Sequence, residues 1–209
     1  MSTWAIIPMK SLQSGKSRLA GALASQERSA LSLNMFFNVL NAVIPKFGPK
    51  RVIIVSKDHN ILLLARSLRL HAVRDKRKGL NHALKQASAY AKVRGATATL
   101  LLFGDLPRVS AQEIGKLISV ARNRPVIIAA PDRAGTGTNA LFVSPPDAIE
   151  FRFGVNSLRK HRHEAMLNKC NWCTFRSEGL AFDVDRPEDV GLLDIDFNRS
   201  YAHPSQAVA

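Results

Sequence analysis

Short apolar runs alternate with longer segments in which apolar residues recur every three or four positions. The short runs predict strands and the periodic segments predict helices. Strands that alternate with helices build βαβ units, and right-handed crossovers between them give a doubly wound α/β sheet with mostly parallel strands. Over the first two thirds of the chain, the predicted strands cover residues 3–9, 51–56, 71–74, 97–103 and 125–131, and the predicted helices cover residues 25–44, 58–68, 81–94 and 110–122.

Polar residues mark where these helices begin, because their side chains accept hydrogen bonds from the first free backbone N–H groups. Ser110 followed by Glu113 fits a capping box. Pro45, which lacks an N–H group, and Gly48 predict the end of the first helix. The predicted N-caps are Ser25, either Asp58 or Asn60, Asn81 and Ser110.

The last third of the chain has shorter elements after a turn rich in Gly and Thr. Pro187 stands at an early helical position, where proline is favoured. The absence of an internal repeat or a linker predicts a single domain over residues 1–197 with a tail at 198–209. The predicted strands cover residues 139–144, 170–176 and 180–184, and the predicted helices cover residues 157–168 and 187–193.

The composition, with 46% apolar and 22% charged residues, is typical of a globular protein. Residues 1–104 carry 17 Lys and Arg against three acidic residues, so the whole net charge of +14 lies in this half. Such a half attracts polyanions, among them nucleic acids and nucleoside triphosphates. The basic cluster at residues 74–78 has no aromatic neighbours that could stack on bases, so we expect a solvated loop there and no nucleic-acid partner.

Two cysteines in 209 residues cannot form a disulfide scaffold, which favours the cytoplasm. The N-terminus does not resemble a secretory leader, and no apolar run approaches the ~18 residues that cross a bilayer, so we expect no membrane partner. Cys170 and Cys173, with His161 and His163 upstream, would allow a zinc site. Because the His-x-His spacing is unusual beside a Cys-x-x-Cys pair, packing residues are the preferred interpretation.

The loop after the first strand is the first candidate for chemistry. Ligands of parallel α/β sheets bind beyond the carboxyl ends of the strands. Lys10, Lys16 and Arg18 would neutralise phosphate oxygens there, and the small residues around Gly15 let backbone amides approach. The segment is not a P-loop, because Lys10 stands where the first glycine is required. An exposed basic loop without a ligand remains the alternative.

Carboxylates form the second candidate site. Asp105 follows a buried strand, and Asp183 and Asp185 alternate along a predicted strand end, so they can point the same way. Carboxylates in this arrangement can hold Mg²⁺, with waters and phosphate oxygens as its other ligands. Glu188 and Asp189 are assigned to the first turn of a helix, where acidic residues are favoured.

Two glycine-containing turns are candidate anion sites. Thr138 ends the first of them and adds a hydroxyl group to its backbone amides. Gly154 and Ser157 stand where a helix is predicted to begin. The sequence offers no arrangement typical of a protein nucleophile.

Seven short segments occur in a fixed order along the chain. They are PMKSLQSGKSRL at 8–19, VSKD at 55–58, GLN at 79–81, GDLP at 104–107, GTNAL at 137–141, FGVNSLRKH at 153–161 and DVDRPED at 183–189. Together they resemble the phospholactate guanylyltransferase family of coenzyme F-420 biosynthesis, which lies within a superfamily of nucleotidyltransferases. The resemblance covers about residues 3–193. The Leu-Ala-Gly-Gly turn of the molybdenum-cofactor guanylyltransferases is absent.

This resemblance implies a Rossmann-like three-layer α/β/α nucleotidyltransferase fold and the transfer of a guanylyl group from GTP to a phosphorylated three-carbon acid. The acids known in the family are 2-phospho-L-lactate, phosphoenolpyruvate and 3-phospho-D-glycerate, and homodimers are common among its members. It implies catalytic roles for Lys16, Arg18 and Asp105. The implied binding residues are Pro8, Lys10, Lys16, Arg18, Ser56 and Asn81 for the nucleotide, Asp105, Asp183 and Asp185 for Mg²⁺, and Thr138, Gly154 and Ser157 for the phospho-acid.

The chain departs from the family pattern at Thr136, where a second glycine is usual, which affects the amide geometry of that turn. Two alternatives stay open from the sequence. One is another nucleotidyltransferase, acting on a sugar phosphate or a molybdenum cofactor. The other, ranked last, is a nucleic-acid-binding protein, although no recognition-helix, RRM or zinc-finger pattern is present.

Overall fold

A computed structural model describes residues 2–12, 15–75 and 79–193. Seven strands form one sheet in the order β3-β2-β1-β4-β6-β5-β7. All neighbouring pairs are parallel except those of β6, which runs antiparallel to both β4 and β5. The strands are β1 (Thr3–Met9), β2 (Val52–Ser56), β3 (His71–Arg74), β4 (Ala98–Leu102), β5 (Val126–Pro131), β6 (Thr138–Ser144) and β7 (Asn171–Thr174).

Helices cover both faces of the sheet, so the predicted three-layer α/β/α architecture is confirmed. Helices α1, α2 and α4 pack on one face with strand residues such as Ile54 and Leu100, and α3 and α5 pack on the other with Ile53 and Leu101. Neighbouring strand residues face opposite layers because side chains alternate along a strand. The helices are α1 (Ser25–Phe47), α2 (His59–Ser67), α3 (Leu80–Val93), α4 (Ala111–Ser119), α5 (Ser157–Leu167), α6 (Glu178–Ala181) and α7 (Pro187–Val190).

Strand β1 lies between β2 and β4, so the chain leaves β1 toward one edge of the sheet and later returns to its other side. This reversal makes a crevice at the carboxyl ends of β1 and β4, where α/β proteins bind ligands. The loop that follows β1 and the segment that begins with Gly104 and Asp105 both start at this crevice.

Helix α1 continues through Pro45 to Phe47, so the predicted end at residue 44 is wrong. Gly48, the second predicted stop, is confirmed as the C-cap, with φ of 71°. Because Pro45 has no N–H group, the carbonyl group of Asn41 lacks its helical hydrogen bond, but Asn41 is exposed. Phe47 is buried and anchors the last turn of the helix. Ser25 is also not the N-cap. Ala24 takes that position, and its N–H group donates to Glu27 Oε2 over 2.7 Å.

Asp58 caps α2, as one of the two predicted alternatives, and accepts from the N–H group of Asn60. The capping box of Ser110 and Glu113 is confirmed at α4. Asn81 is not an N-cap, because α3 begins at Leu80 after Gly79. Pro187 begins α7, as predicted.

The predicted strand at 180–184 is wrong. Leu180, Phe182 and Val184 are buried in alternation, but the chain forms the short helix α6 and then an irregular segment. The carbonyl groups of Leu180 and Ala181 accept hydrogen bonds from the side-chain amide of Asn139. This side chain takes the place that the backbone of a neighbouring strand would have. The predicted tail at 198–209 and residues 76–78 of the basic cluster lie outside the described residues.

Candidate active site

The loop after β1 is folded back on itself at Gly15. The N–H group of Gly15 donates to the carbonyl oxygen of Ser11 over 2.8 Å, and a Cβ atom at this position would lie 2.9 Å from that oxygen. Asp58 fixes the other side of the loop, because its Oδ2 atom accepts from the N–H group of Leu12. Lys16 follows in the left-handed conformation, with φ of 53°. The loop therefore presents the Lys16 side chain to the crevice.

Lys16 joins two carboxylates that are 80 residues apart in the sequence. Its Nζ atom lies 2.6 Å from Asp105 Oδ2 and 2.9 Å from Asp185 Oδ1, and only 10% of its side chain is exposed. Burial by itself lowers the pKa of Lys16, but the charges and hydrogen bonds of the two carboxylates outweigh it and raise that pKa. Lys16 is thus a permanent cation at the carboxyl end of β4.

Asp185 lies among basic groups. Burial would raise its pKa, but Lys16, Arg18 and Lys10 together lower it. The Nη1 atom of Arg18 is 3.5 Å from Asp185 Oδ2, with three quarters of the arginine side chain exposed. The three cations predicted from the first loop are therefore gathered around one carboxylate, and Arg18 and Lys10 remain accessible to a ligand.

Asp183 has the opposite electrostatic environment. Burial and the neighbouring carboxylates of Asp105 and Asp185 raise its pKa, although Asn139 Nδ2 donates to its Oδ1 atom over 3.3 Å. Its negative charge is therefore less well compensated than that of Asp185. Lys16 stands between the carboxylates of Asp105 and Asp185, and Asp183 lies close enough for the charges of both to act on it.

Within the described residues, no three His, Cys, Asp or Glu side chains are grouped as a ready-made metal site.

The side chains that hold Asp105 and Asp185 in place were missed in the sequence analysis. Asn38 in α1 donates to the carbonyl group of Pro107 over 2.7 Å and so fixes the turn that contains Asp105. Asp189 accepts from the N–H groups of Asp185 and Arg186, as an acidic residue at the start of α7 should, and pairs with the guanidinium group of Arg133. No local pattern marks Asn38, because its partner Pro107 lies 69 positions away in the sequence.

The predicted nucleotide-binding residues lie along the same edge of the sheet. Pro8 is the second-last residue of β1 and Lys10 follows the strand, while Ser56 ends β2 and is buried. The Ser56 hydroxyl oxygen accepts from the N–H group of Asp58. Asn81 clamps another loop, because its side-chain amide both donates to and accepts from the backbone of Phe153. Its role toward a nucleotide stays a prediction.

The predicted substrate residues Thr138 and Ser157 are brought together on the other side of the crevice. Their hydroxyl oxygens are 3.2 Å apart, and both residues are nearly completely buried. His161, which the sequence did not select for this role, completes the group. Its Nδ1 atom lies 3.2 Å from Thr138 Oγ1, and its Nε2 atom lies 3.0 Å from the backbone nitrogen of Arg152. Both nitrogens of His161 are engaged in these contacts, and the predicted alternative of a zinc site with the cysteines is not formed around it.

The third predicted substrate residue, Gly154, has φ of 122°, a conformation that favours glycine. It is exposed and turns the chain into α5. Thr136 stands where the resemblance leads one to expect glycine. Its backbone carbonyl oxygen accepts from the N–H group of Leu158 at the start of the same helix. A cavity of about 410 Å³ extends from Thr136 along α5 past Arg159 and Arg162, so the approach to these loops is positively charged.

Acid should destabilise the protein through His161. Burial lowers its pKa from 6.5 to about 4, so the unfolded chain binds one more proton than the folded one between these values. The free energy of unfolding should therefore fall as the pH drops from 6.5 to 4, by about 3 kcal/mol from this residue. Urea denaturation of the wild type and His161→Asn over this range measures the difference, because all other titrating groups are shared. Equal pH dependence in the two proteins would contradict the expectation.

No helix among the described residues is both long and apolar enough to cross a bilayer.

Cys170 and Cys173 are free and half-buried. Cys173 packs against the core from β7, as expected for a packing residue.

Comparisons with known proteins agree with this fold. The family model described as guanylyl transferase CofC like matches residues 3–203. The chain is 37% identical to phosphoenolpyruvate guanylyltransferase of Rubrobacter xylanophilus over 93% of this chain and 94% of the relative. It is 32% identical to 2-phospho-L-lactate guanylyltransferase of Methanocaldococcus jannaschii over 94% of this chain and 84% of the relative.

Among solved structures, a nucleotide-diphospho-sugar transferase from Desulfovibrio desulfuricans G20 is similar with a TM-score of 0.76. The match covers 98% of this chain and 89% of the other at 13% identity, and it shows the fold alone. The family match spans nearly the whole chain, including every segment that forms the crevice. This protein therefore belongs to the family of CofC-like guanylyl transferases.

Proposed function

We propose that this protein transfers the guanylyl group of GTP to the phosphate of a phosphorylated three-carbon acid and releases diphosphate. The observation that carries the proposal is the Lys16 ammonium group, held between Asp105 and Asp185 at the switch point of the sheet. The names of the relatives support the nucleotide and the class of acid. Phosphoenolpyruvate, 2-phospho-L-lactate and 3-phospho-D-glycerate are the candidate acids.

The reaction requires no protein nucleophile. A phosphate oxygen of the acid attacks the α-phosphorus of GTP, and the bond from that phosphorus to the oxygen shared with the β-phosphorus breaks. The electron pair leaves with diphosphate. Lys10, Lys16 and Arg18 would bind the triphosphate and compensate the charge that develops on the leaving group. Holding the two phosphates in line supplies much of the remaining rate enhancement.

Asp105, Asp183 and Asp185 would hold Mg²⁺. The raised pKa of Asp183 supports this assignment, because it indicates a carboxylate whose negative charge is not fully compensated by the protein. Oxygen donors suit Mg²⁺, which commonly takes one or two carboxylates and completes its coordination with waters and phosphate oxygens. When bound, the ion would withdraw negative charge from the phosphate oxygens.

The remaining residues would select and position the two substrates. Pro8 and Ser56 lie at the carboxyl ends of β1 and β2, and Asn81 lies in the first turn of α3. The base and ribose of the nucleotide would bind there. Thr138, Gly154 and Ser157 would bind the phospho-acid across the crevice. The positively charged approach along α5 favours an anionic substrate.

A diphosphate-release assay with mass detection of the product tests the proposal. Purified protein, Mg²⁺ and GTP are offered each of the three acids separately, with ATP and CTP in place of GTP as controls. We expect a guanylylated product from GTP with at least one acid. Absence of turnover with every acid, in a protein that is folded and binds GTP, would overturn the substrate class and direct the search to sugar phosphates.

A further inference from the structure

Two residues of the proposed acid site form a hydrogen-bonded chain with a buried histidine. Thr138 Oγ1 is 3.2 Å from both Ser157 Oγ and His161 Nδ1. His161 is completely buried, and its Nε2 atom is 3.0 Å from the nitrogen of Arg152. This histidine ends the segment FGVNSLRKH, and the reaction written above does not use it.

The backbone fixes the tautomer of His161. An amide N–H group can only donate, so His161 Nε2 must accept the hydrogen bond from Arg152 and carries no proton. The neutral imidazole then carries its single proton on Nδ1. His161 consequently donates to Thr138 Oγ1, and the lowered pKa keeps the ring neutral at physiological pH.

This tautomer determines what the two hydroxyl groups can offer to a ligand. Thr138 and Ser157 together have two hydroxyl hydrogens, and one of them is used in the bond between the pair. If His161 were an acceptor at Nδ1, it would take up the other. Because it is a donor, one hydroxyl hydrogen of the pair stays available. An ionised phosphate or carboxylate oxygen can only accept hydrogen bonds, so it fits a pair with one hydrogen to donate.

We propose that His161 is a positioning residue that keeps the Thr138 and Ser157 hydroxyl pair as a net hydrogen-bond donor to an anionic oxygen of the phospho-acid. This inference rests on the proposed function of that site. It assigns His161 a role in the affinity for the acid and none in the affinity for GTP.

Neighbouring side chains hold the His161 ring and the backbone of Arg152 in place. The Phe153 ring packs edge-on against His161, with 4.6 Å between centroids. Glu164, one turn further along α5, binds the guanidinium group of Arg152 over 2.8 Å and so holds the backbone whose N–H group meets His161. Asn81 secures Phe153 from α3. The segment that fixes the tautomer is therefore anchored by two helices.

Two isosteric substitutions separate the two ends of the ring. The side-chain amide of His161→Asn occupies the position of Nδ1 and can still donate to Thr138. The amide of His161→Gln occupies the position of Nε2, where it can accept from Arg152 but cannot reach Thr138. His163→Gln, at an exposed histidine of the same helix, is the matched control.

We expect His161→Gln to raise KM for the phospho-acid by about ten- to hundredfold, the loss of one hydrogen bond to a charged group. Its kcat and its KM for GTP should stay within about threefold of the wild type, because the lost bond concerns binding of the acid alone. His161→Asn and His163→Gln should have a KM for the acid within about threefold of the wild-type value. Equal losses in His161→Asn and His161→Gln would overturn the proposal, since the donor to Thr138 would then not matter.

A double-mutant cycle tests whether His161 acts through Thr138. Thr138→Val should raise KM for the acid as much as His161→Gln, and the double variant should show no further increase. Thr138→Val removes the hydroxyl group that donates to the acid, and His161→Gln removes the hydrogen bond that orients the same hydroxyl group. Additive losses would contradict the proposal.

The ring itself is tested without substrate. Nitrogen NMR of the imidazole in the ligand-free protein should show the proton on Nδ1, and a proton on Nε2 would overturn the proposal whatever the substrate. If the tautomer is as expected but the wild type acts on none of the acids, the proposed function fails and the described hydrogen-bond arrangement stands.

Discussion

Asp105→Asn should lower kcat for diphosphate release by about a hundredfold or more, the usual effect of removing one electrostatic contact to the transition state. The change removes a negative charge at the carboxyl end of β4 and weakens the 2.6 Å contact with Lys16. Folding should be retained, because asparagine has the same size and the Asp105 side chain is 28% exposed. Steady-state kinetics with saturating GTP and acid provide the measurement.

Asp147→Asn is the matched control for this change. Asp147 pairs with Lys92 on the surface, and the pair is more than half exposed on both sides. The same substitution there should leave kcat within about threefold, because exposed ion pairs contribute little. Near wild-type diphosphate release by Asp105→Asn, with a stability equal to that of the control, would refute the role assigned to Asp105.

Lys16→Met should lower kcat to a similar degree, about a hundredfold or more, and should also change the binding of metal ions. Methionine has an unbranched side chain of similar length, which suits the nearly buried position of Lys16, but it removes the charge between Asp105 and Asp185. Two carboxylates without their ammonium partner attract a divalent cation more strongly. In the absence of nucleotide, we expect the variant to bind Mn²⁺ at least about tenfold more tightly than the wild type, since one close charge is worth well over 1 kcal/mol at such a site.

Electron paramagnetic resonance of free Mn²⁺ measures this affinity directly. Lys92→Met, which removes the same charge from the surface pair with Asp147, should change neither kcat nor Mn²⁺ binding appreciably. Weaker Mn²⁺ binding by Lys16→Met would show that the lysine supports the cation rather than replacing it. Unchanged turnover would exclude Lys16 from the transition state.

The residue types at the crevice could be predicted because position and chemistry coincide there. Lys16 and Asp105 each follow a strand at the carboxyl edge of the sheet, and this edge is where α/β proteins bind ligands. The direct contact between them could not be predicted, because it depends on the left-handed conformation of Lys16 and on the fold of the loop at Gly15. No local pattern distinguishes a lysine that binds a phosphate from one that binds a carboxylate.

Residues that hold the site through buried hydrogen bonds were missed for a related reason. His161 was considered as a metal ligand and as the end of the segment FGVNSLRKH, and Asn38, Asn139 and Arg133 were given no role. These last three contact residues that are distant in the sequence, by 69 positions for Asn38, 44 for Asn139 and 56 for Arg133. Asn81 was assigned to the start of a helix because asparagine is common there, whereas its partner is the backbone of Phe153.

Elements with a strong local pattern could be predicted closely. The pattern gave β1 and β3 to the residue, the capping box of α4 and the alternation of strands and helices that builds three layers, because apolar periodicity and caps depend on neighbouring residues alone. Three features became visible in the folded chain alone: α1 continues through Pro45, residues 180–184 form no strand and β6 runs antiparallel. These outcomes depend on which surface and which hydrogen-bond partners the folded chain brings to each segment, and that information is distributed over the whole sequence.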